Sequence, residues 1–184
     1  MILSNTPRRI VLIGPECTGK TWLAGELAAR YDVPCSPEYA REYVEAGSGP
    51  LSYSDVDAIG RGQKAGEDTV LGQAAGLGLT LVVLDTDLVS TMVYARHHYG
   101  ACPEWIAKEA SERLGDLYLL HHIDVEWAAD GHQREQPERR EELFDFFRST
   151  LGKLGAQVKG VEGSWEARKR SAIESVDYLL APGP

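Results

Sequence analysis

The octapeptide GPECTGKT, Gly14 to Thr21, constrains the fold of this 184-residue chain more than any other stretch. It consists of a glycine, four variable residues and then Gly-Lys-Thr, between the apolar run RRIVLIG and the amphipathic stretch KTWLAGELAARY. Such a loop joins a strand to a helix, and its backbone N–H groups and the helix N-terminus surround a phosphate. The stretch therefore predicts a strand, a phosphate-binding loop and a helix, in that order.

The chemistry of this loop assigns roles to individual residues. Gly14 and Gly19 let the backbone turn so that N–H groups point at phosphate oxygens. Lys20 can reach the β- and γ-phosphates of a nucleoside triphosphate, and the Thr21 hydroxyl can bind Mg²⁺. The other residues predicted to contact the nucleotide here are Glu16, Cys17, Thr18 and Trp22.

Apolar runs alternate with amphipathic stretches along the rest of the chain, which predicts an α/β fold. We expect a three-layer P-loop NTPase fold, with a five-stranded parallel sheet and helices on both faces, in one domain over residues 1–184. The charged segment 124–140 contains Gly and Pro and is predicted to be a lid. The predicted strands cover residues 8–14, 33–40, 79–87, 116–124 and 156–163.

Composition narrows the classes of partner. The net charge is −9, so general nucleic-acid binding is not expected, because it needs a basic face. No apolar run reaches the roughly 20 residues of a membrane span. Cys17, Cys35 and Cys102 form no CxxC pair, which indicates a reducing cytoplasm rather than a disulfide framework. The sequence leaves a homo-oligomer open.

Two groups of carboxylates follow predicted strands. Asp85 and Asp87 end the third strand, where they could meet Mg²⁺ or an incoming hydroxyl, although either could instead cap the next helix. Glu38 follows the second strand and could accept a proton from a substrate hydroxyl. Arg41 could hold substrate, or it could form an ordinary solvated ion pair with Glu38.

Arginines concentrate in the predicted lid. Arg134 is a candidate to close over the γ-phosphate and stabilise its charge in the transition state. Arg139 and Arg140 could act in the same way or could belong to surface ion pairs. The adjacent pairs His97–His98 and His121–His122 do not predict a metal site, because neighbouring side chains point in different directions.

The order of GPECTGKT, PEYAREY, LDTD, DVEWAADGHQR and GSWEAR resembles the nicotinamide riboside kinase domain of NadR-type proteins and their stand-alone AAA_28-like relatives. This resemblance implies a nucleoside-kinase-like fold with a lid. It also implies transfer of the ATP γ-phosphate to the 5′-hydroxyl of nicotinamide riboside, giving nicotinamide mononucleotide. Because the loop lies close to the start of the given sequence, we expect no upstream adenylyltransferase or DNA-binding domain.

The resemblance also implies site residues. Lys20 and Thr21 would handle ATP and Mg²⁺, with Asp85 as a second metal ligand. Trp165 and Arg168 would lie near the adenine. The residues implied on the acceptor side and in the lid are Glu38, Tyr39, Arg41, Asp85, Asp87, Asp124, Trp127, Asp130 and Arg134.

Two alternatives to a nicotinamide riboside kinase stay open. The chain could phosphorylate another nucleoside, a nucleotide or a vitamin, because the loop and the lid would serve equally well. It could also be a switch that hydrolyses ATP slowly and signals to a partner protein. In the kinase hypothesis, either Glu38 or Asp87 takes the proton of the acceptor hydroxyl.

Overall fold

A computed structural model describes residues 6–47, 51–126 and 139–181 of the chain. Strands and helices alternate throughout, and a short 3-10 turn, Tyr53–Asp55, precedes the third α-helix. In chain order the elements are β1 Arg8–Ile13, α1 Lys20–Tyr31, β2 Cys35–Ser36, α2 Tyr39–Ala46, α3 Val56–Gly76, β3 Leu81–Asp85, α4 Leu88–Tyr99, α5 Glu104–Glu112, β4 Leu117–His121, α6 Arg140–Lys153, β5 Val158–Val161 and α7 Trp165–Leu180.

The strands form one parallel sheet in the order β2-β3-β1-β4-β5. In the central strand, Ile10 lies opposite Val83 of β3 on one side and Leu117 of β4 on the other. Because all strands run in the same direction, their carboxyl ends meet at one edge, where open α/β sheets bind ligands. The segments that follow β1, β2, β3 and β4 therefore converge there.

The two faces of the sheet carry separate cores. Ile10 and Leu12 pack with apolar residues of α1 and α7, whereas Val11 and Ile13 pack with residues of α3 to α6. All four side chains are buried. This division follows from the alternation of side chains along a strand, and it confirms the predicted three-layer α/β fold.

The second strand is shorter than the sequence predicts. We expected a strand over residues 33–40, but β2 comprises only Cys35–Ser36, and α2 begins at Tyr39. Pro34 and Pro37 flank this strand, and proline has no N–H to donate to a sheet. Glu38 consequently precedes the first turn of a helix instead of lying in a strand.

Among the described residues, no helix combines the length and the apolar character that crossing a membrane would require.

Candidate functional site

The loop between β1 and α1 has a backbone that depends on its two glycines. Gly14 has a φ of +133° and Gly19 a φ of +83°, values that residues with a side chain rarely adopt. A Cβ on Gly14 would lie 2.9 Å from the carbonyl oxygen of His121, and one on Gly19 would overlap the ring of Trp165. The loop is therefore enclosed by the end of β4 and by the start of α7.

Lys20 lies against this loop. It is the first residue of α1 and is buried, and its Nζ donates a hydrogen bond of 2.7 Å to the carbonyl oxygen of Pro15. The ammonium group is thus held close to the loop backbone, where it can reach a phosphate bound by the loop N–H groups.

A second cation reaches the loop from α6. Arg140 is buried, and its two terminal nitrogens donate to the carbonyl oxygens of Val125, at 3.3 Å, and Cys17, at 3.5 Å. Arg139, by contrast, is half-exposed and forms a 3.4 Å ion pair with Glu142. The sequence predicted the same two alternative roles for both arginines, whereas in the structure Arg140 contacts the loop and Arg139 pairs with Glu142.

Thr21 and Asp85 form the candidate metal site. The Thr21 hydroxyl donates to Asp85 Oδ2 at 2.6 Å. The other oxygen, Oδ1, is buried without a hydrogen-bond partner among the described residues. An unpaired buried oxygen is unfavourable unless something compensates it, and hydroxyl and carboxylate oxygens are ligands that Mg²⁺ accepts. The two residues therefore fit Mg²⁺, with phosphate and water oxygens as its other ligands.

Several charges act on Asp85. Burial raises the pKa of its carboxyl, while the charges of Lys20 and Arg41 lower it and that of Glu38 raises it. Lys20, Glu38 and Arg41 thus lie within electrostatic range of one carboxylate. Burial, together with the Asp85 charge, also raises the pKa of Cys35 to about 11. The thiol of Cys35 is therefore protonated at neutral pH.

The PEYAREY segment supplies the side of the site next to β2. Glu38 Oε2 lies 3.9 Å from Arg41 Nη2, and the two side chains are 16% and 48% exposed. The backbone N–H of Tyr39 donates to Gln63 of α3 at 3.1 Å, and the Tyr39 ring lies against Gly62 of the same helix. The contact between α2 and α3 thus holds Glu38 near Asp85.

Asp87 occupies a different environment. Its Oδ1 accepts hydrogen bonds from the backbone N–H groups of Val89, at 3.0 Å, and Ser90, at 3.3 Å, and therefore caps α4. Its Oδ2 accepts a 2.6 Å bond from the Tyr118 hydroxyl, and the residue is 4% exposed. Because both oxygens are used in the interior, the capping alternative describes Asp87, and Glu38 is the better candidate for the proton acceptor.

Asp124 and Arg168 form an ion pair next to the phosphate loop. The Arg168 side chain is fully buried, donates to the carbonyl oxygens of Gly163 at 2.9 Å, Val161 at 3.3 Å and Thr18 at 3.4 Å, and forms an ion pair with Asp124. Asp124 also accepts a 2.6 Å bond from the Gly163 N–H. A guanidinium with these contacts lies beneath the phosphate loop, and its place near the adenine stays a prediction.

Trp22 and Trp165 form an exposed aromatic pair beside the loop. Their ring centroids are 5.0 Å apart and the rings are inclined at 65°, and the residues are 39% and 43% exposed. Trp165 also lies over Gly19. The sequence left core packing and ring stacking open for Trp165, and its exposure leaves ring surface accessible to a planar ligand.

Three residues assigned to the lid, Trp127, Asp130 and Arg134, lie outside the described residues, so their roles stay predictions.

His121 is the residue at this site whose role the sequence did not indicate. It is fully buried at the end of β4, and its Nδ1 lies 2.9 Å from the Thr18 carbonyl oxygen. Burial lowers the pKa of its imidazole to about 3, so the ring is neutral at physiological pH. A signal was available, because His121 lies near the carboxyl end of a predicted parallel strand, and ligands bind at that edge of such a sheet. Within the described ranges, no three His, Cys, Asp or Glu side chains converge as a metal site.

Comparisons with known proteins agree with this arrangement. The family model of the AAA domain, AAA_28, matches residues 9–168. A NadR protein in complex with NR superposes with a TM-score of 0.77 at 24% identity, covering 96% of this chain and 51% of that chain. A NadR protein in complex with NAD and AMP-PNP gives a TM-score of 0.78 at 26% identity, covering 97% of this chain and 51% of that chain.

A thymidylate kinase from Ehrlichia chaffeensis shares the fold, with a TM-score of 0.65 at 14% identity over 95% of this chain and 99% of that chain. No curated protein is similar enough in sequence to count as a match. The present chain spans about half the length of the NadR chains that it matches. The comparisons confirm the resemblance to NadR, and the chain therefore belongs to the AAA_28 family of AAA domains and has a P-loop kinase fold.

Proposed function

We propose that the chain is an ATP-dependent kinase that transfers the γ-phosphate to the 5′-hydroxyl of nicotinamide riboside, giving nicotinamide mononucleotide and ADP. The observation that carries this proposal is the convergence of Lys20, Asp85, Glu38 and Arg41 at the carboxyl edge of the sheet. The phosphate loop and the candidate metal site thus lie next to the Glu38 carboxylate, which can receive a proton. A protein that only binds and hydrolyses nucleotide does not need residues for an acceptor, such as Glu38 and Arg41.

The donor half of the site binds ATP. The loop N–H groups and Lys20 would neutralise the β- and γ-phosphates. Thr21 and Asp85 would hold Mg²⁺ beside the phosphates, and the ion would supply further neutralisation of their charge. The exposed rings of Trp22 and Trp165 offer a surface for the adenine. These groups stabilise negative charge and position the γ-phosphate without forming a covalent bond to the protein.

The acceptor half orients and deprotonates the hydroxyl. Glu38 would accept the proton of the 5′-hydroxyl as the oxygen attacks the γ-phosphorus and the bond to the β-phosphate oxygen breaks. Arg41 and Tyr39 stand on the same turn of α2 and would hold the riboside. Arg134 remains our candidate to close over the γ-phosphate, and Arg140, which already contacts the loop, is a second guanidinium close to it.

The choice of nicotinamide riboside rests on similarity to the NadR proteins. Their structures contain NR in one case and NAD with AMP-PNP in another, and a bound triphosphate analogue together with a pyridine nucleotide suits this reaction. Their identity to this chain is 24% and 26%, so we transfer the substrate as part of the proposal. The cysteines Cys17, Cys35 and Cys102 form no disulfide, which suits the proposed cytoplasmic location.

The proposal is tested by incubating the purified chain with ATP, Mg²⁺ and a panel of nucleosides, nucleotides and vitamins while ADP release is measured. We expect nicotinamide riboside to stimulate ADP release and Lys20→Ala to abolish it without unfolding the protein. Stimulation by a different compound would select another small-molecule kinase. Absence of stimulation by any compound would favour the ATP-hydrolysing switch, and an active Lys20→Ala protein would contradict the assigned site.

A further inference from the structure

We propose that His121 and Arg168 are positioning residues that orient the peptide between Thr18 and Gly19, so that the Gly19 N–H points at the bound phosphate. This inference rests on the proposed function only in that the loop binds a nucleotide. It gives a role to a histidine that the sequence did not indicate and to an arginine that is fully buried beneath the loop.

Both side chains donate to one carbonyl oxygen. The Thr18 oxygen lies 2.9 Å from His121 Nδ1 and 3.4 Å from Arg168 Nη1. Thr18, His121 and Arg168 are all fully buried. The Thr18 side chain is fixed as well, because its hydroxyl donates to the Pro15 carbonyl oxygen at 2.9 Å. Residues of β4 and α7 thus hold a single peptide group of the loop from outside.

Fixing this carbonyl also fixes an N–H group. The peptide is planar, and its C=O and the N–H of the next residue point in opposite directions in the trans form. Since the Thr18 oxygen points at His121 and Arg168, the Gly19 N–H points away from them, toward the interior of the loop. Glycine allows this peptide to rotate more readily than any other residue would, so the orientation needs an external restraint.

The protonation state of His121 suits this role. Nδ1 faces an oxygen that can only accept, so Nδ1 carries the proton, whereas Nε2 is buried with no partner among the described residues. A second proton on Nε2 would bury an unpaired N–H beside the positive charges of Lys20 and Arg168. His121 is therefore a fixed donor and not a proton carrier.

The other contacts of Arg168 are with protein groups that surround the loop. Its remaining donors are directed at Gly163, Val161 and Asp124. Gly163 lies in the turn before α7, Val161 ends β5, and Asp124 follows β4. Arg168 therefore ties the loop carbonyl to the strands that flank it, and its side chain is fully buried.

The test compares His121→Leu, which removes the donor, with His121→Asn, whose amide N–H can replace Nδ1–H. Binding of ADP is measured by titration calorimetry, and the Gly19 amide is followed by NMR in glycine-labelled protein. We expect His121→Leu to weaken ADP binding about tenfold, the factor for about 1.4 kcal/mol, and to remove the ADP-induced shift of the Gly19 amide. We expect His121→Asn to restore both within about threefold, a range of under 1 kcal/mol.

His122→Leu is the matched control, because this neighbouring side chain packs on Phe144, 4.7 Å away, and not on the loop. Its ADP affinity should equal that of the wild type. The inference is wrong if His121→Leu binds ADP normally, or if the Leu and Asn variants are folded but equally impaired. Binding of ADP requires no acceptor, so failure of this inference is distinguishable from failure of the proposed kinase reaction.

A second pair of variants tests Arg168 independently. Arg168→Lys keeps a charge but loses the fork of donors, and Asp124→Asn leaves the arginine in place without its counter-charge. We expect Arg168→Lys to raise the KM for ATP about tenfold, with the KM for the acceptor unchanged within about twofold, and Asp124→Asn to have a smaller effect. Equal changes in both KM values would contradict a role confined to the loop.

Discussion

Glu38 and Asp87 are the two carboxylates that could deprotonate the acceptor hydroxyl, and their surroundings differ. Glu38 is partly exposed and only loosely paired with Arg41, at 3.9 Å. Asp87 is buried and accepts hydrogen bonds from Val89, Ser90 and Tyr118. A general base needs a lone pair directed at substrate. Of the two, only Glu38 has a carboxylate that is not already used in capping a helix.

We therefore expect Glu38→Gln to lower kcat by about 10²- to 10⁴-fold, the usual contribution of a general base. The KM for ATP should stay unchanged, because the amide is isosteric and lies on the acceptor side. Glu42→Gln, an exposed position on the same helix, is the control and should retain full activity. A Glu38→Gln enzyme with wild-type kcat would assign the proton to another acceptor.

The loop motif predicts Lys20 and Thr21 as site residues, whereas Asp85 is predicted from its place at the end of a strand. The sequence could not distinguish the roles of Asp85 and Asp87, because both follow the same strand and only burial and hydrogen bonding separate them. It could not identify His121 either, since the partner of its imidazole is a backbone carbonyl 103 residues away in sequence. Every residue has a backbone carbonyl group, so a contact with one cannot be predicted from the residue types.

Among the elements, α2 and α3 determine the geometry of the acceptor side. The Tyr39 ring lies directly on Gly62, and Gln63 connects the start of α2 to the carbonyl oxygen of Thr86 by a 3.2 Å bond. A side chain larger than hydrogen at position 62 would overlap the ring. The helix that carries Glu38, Tyr39 and Arg41 is therefore held at a fixed distance from α3.

We expect Gly62→Ala to displace Tyr39 and to raise the KM for the acceptor several-fold, while the KM for ATP stays unchanged. Thermal unfolding should show a loss of about 1–3 kcal/mol, the usual effect of overpacking. Gly72→Ala is the matched control on the same helix, because a Cβ there meets nothing within 4 Å. That variant should be active and more stable by up to about 1 kcal/mol. Identical kinetics for the two variants would show that the α2–α3 spacing does not define the acceptor side.

Element boundaries show where local patterns were insufficient. The alternation of apolar runs and amphipathic stretches predicted the five-stranded sheet with helices on both faces, but it did not predict α2. The extent of β2 was wrong, because the apolar and tyrosine residues of 33–40 resemble a strand, although Pro34 and Pro37 prevent its extension. The segment EYAREY forms a helix whose contacts are with α3, a packing partner that the local sequence does not reveal.

Two carboxyl groups, those of Glu67 and Asp87, are buried in the interior of the molecule and interact electrostatically. Glu67 of α3 accepts a 3.1 Å bond from the Leu88 N–H, and its other oxygen lies 3.6 Å from Arg113. Burial and the Asp87 charge raise the pKa of Glu67 to about 8, although Arg113 and Arg9 oppose this shift. Burial likewise raises the pKa of Asp87 to about 6.

These pKa values make stability depend on pH. A carboxyl whose pKa is higher in the folded than in the unfolded protein binds its proton more tightly when folded. The contribution of Glu67 to the free energy of unfolding is complete below pH 4.5, the ordinary pKa of Glu. It is lost as the pH rises toward about 8. His121 acts in the opposite direction below its ordinary pKa of 6.5, so the effect of Glu67 has to be measured as a difference between two proteins.

We expect Glu67→Gln to lose less stability than the wild type between pH 6 and pH 8.5, by about 2 kcal/mol. The amide can still accept from Leu88 without carrying a charge. Urea unfolding at several pH values measures the difference, and Glu45→Gln, which changes an exposed residue, should behave like the wild type. Parallel pH profiles for wild type and Glu67→Gln would show that Glu67 is ionised in the folded protein throughout this range.

In the proposed reaction, the γ-phosphate of ATP is transferred to the 5′-oxygen of nicotinamide riboside. The most direct measurement is quantification of ADP, inorganic phosphate and phosphorylated riboside by ³¹P NMR and mass spectrometry in one reaction with ATP and Mg²⁺. We predict one nicotinamide mononucleotide for each ADP, with no accumulation of inorganic phosphate and no product with Lys20→Ala. Release of ADP and inorganic phosphate in equal amounts, with the riboside unchanged, would contradict the claim.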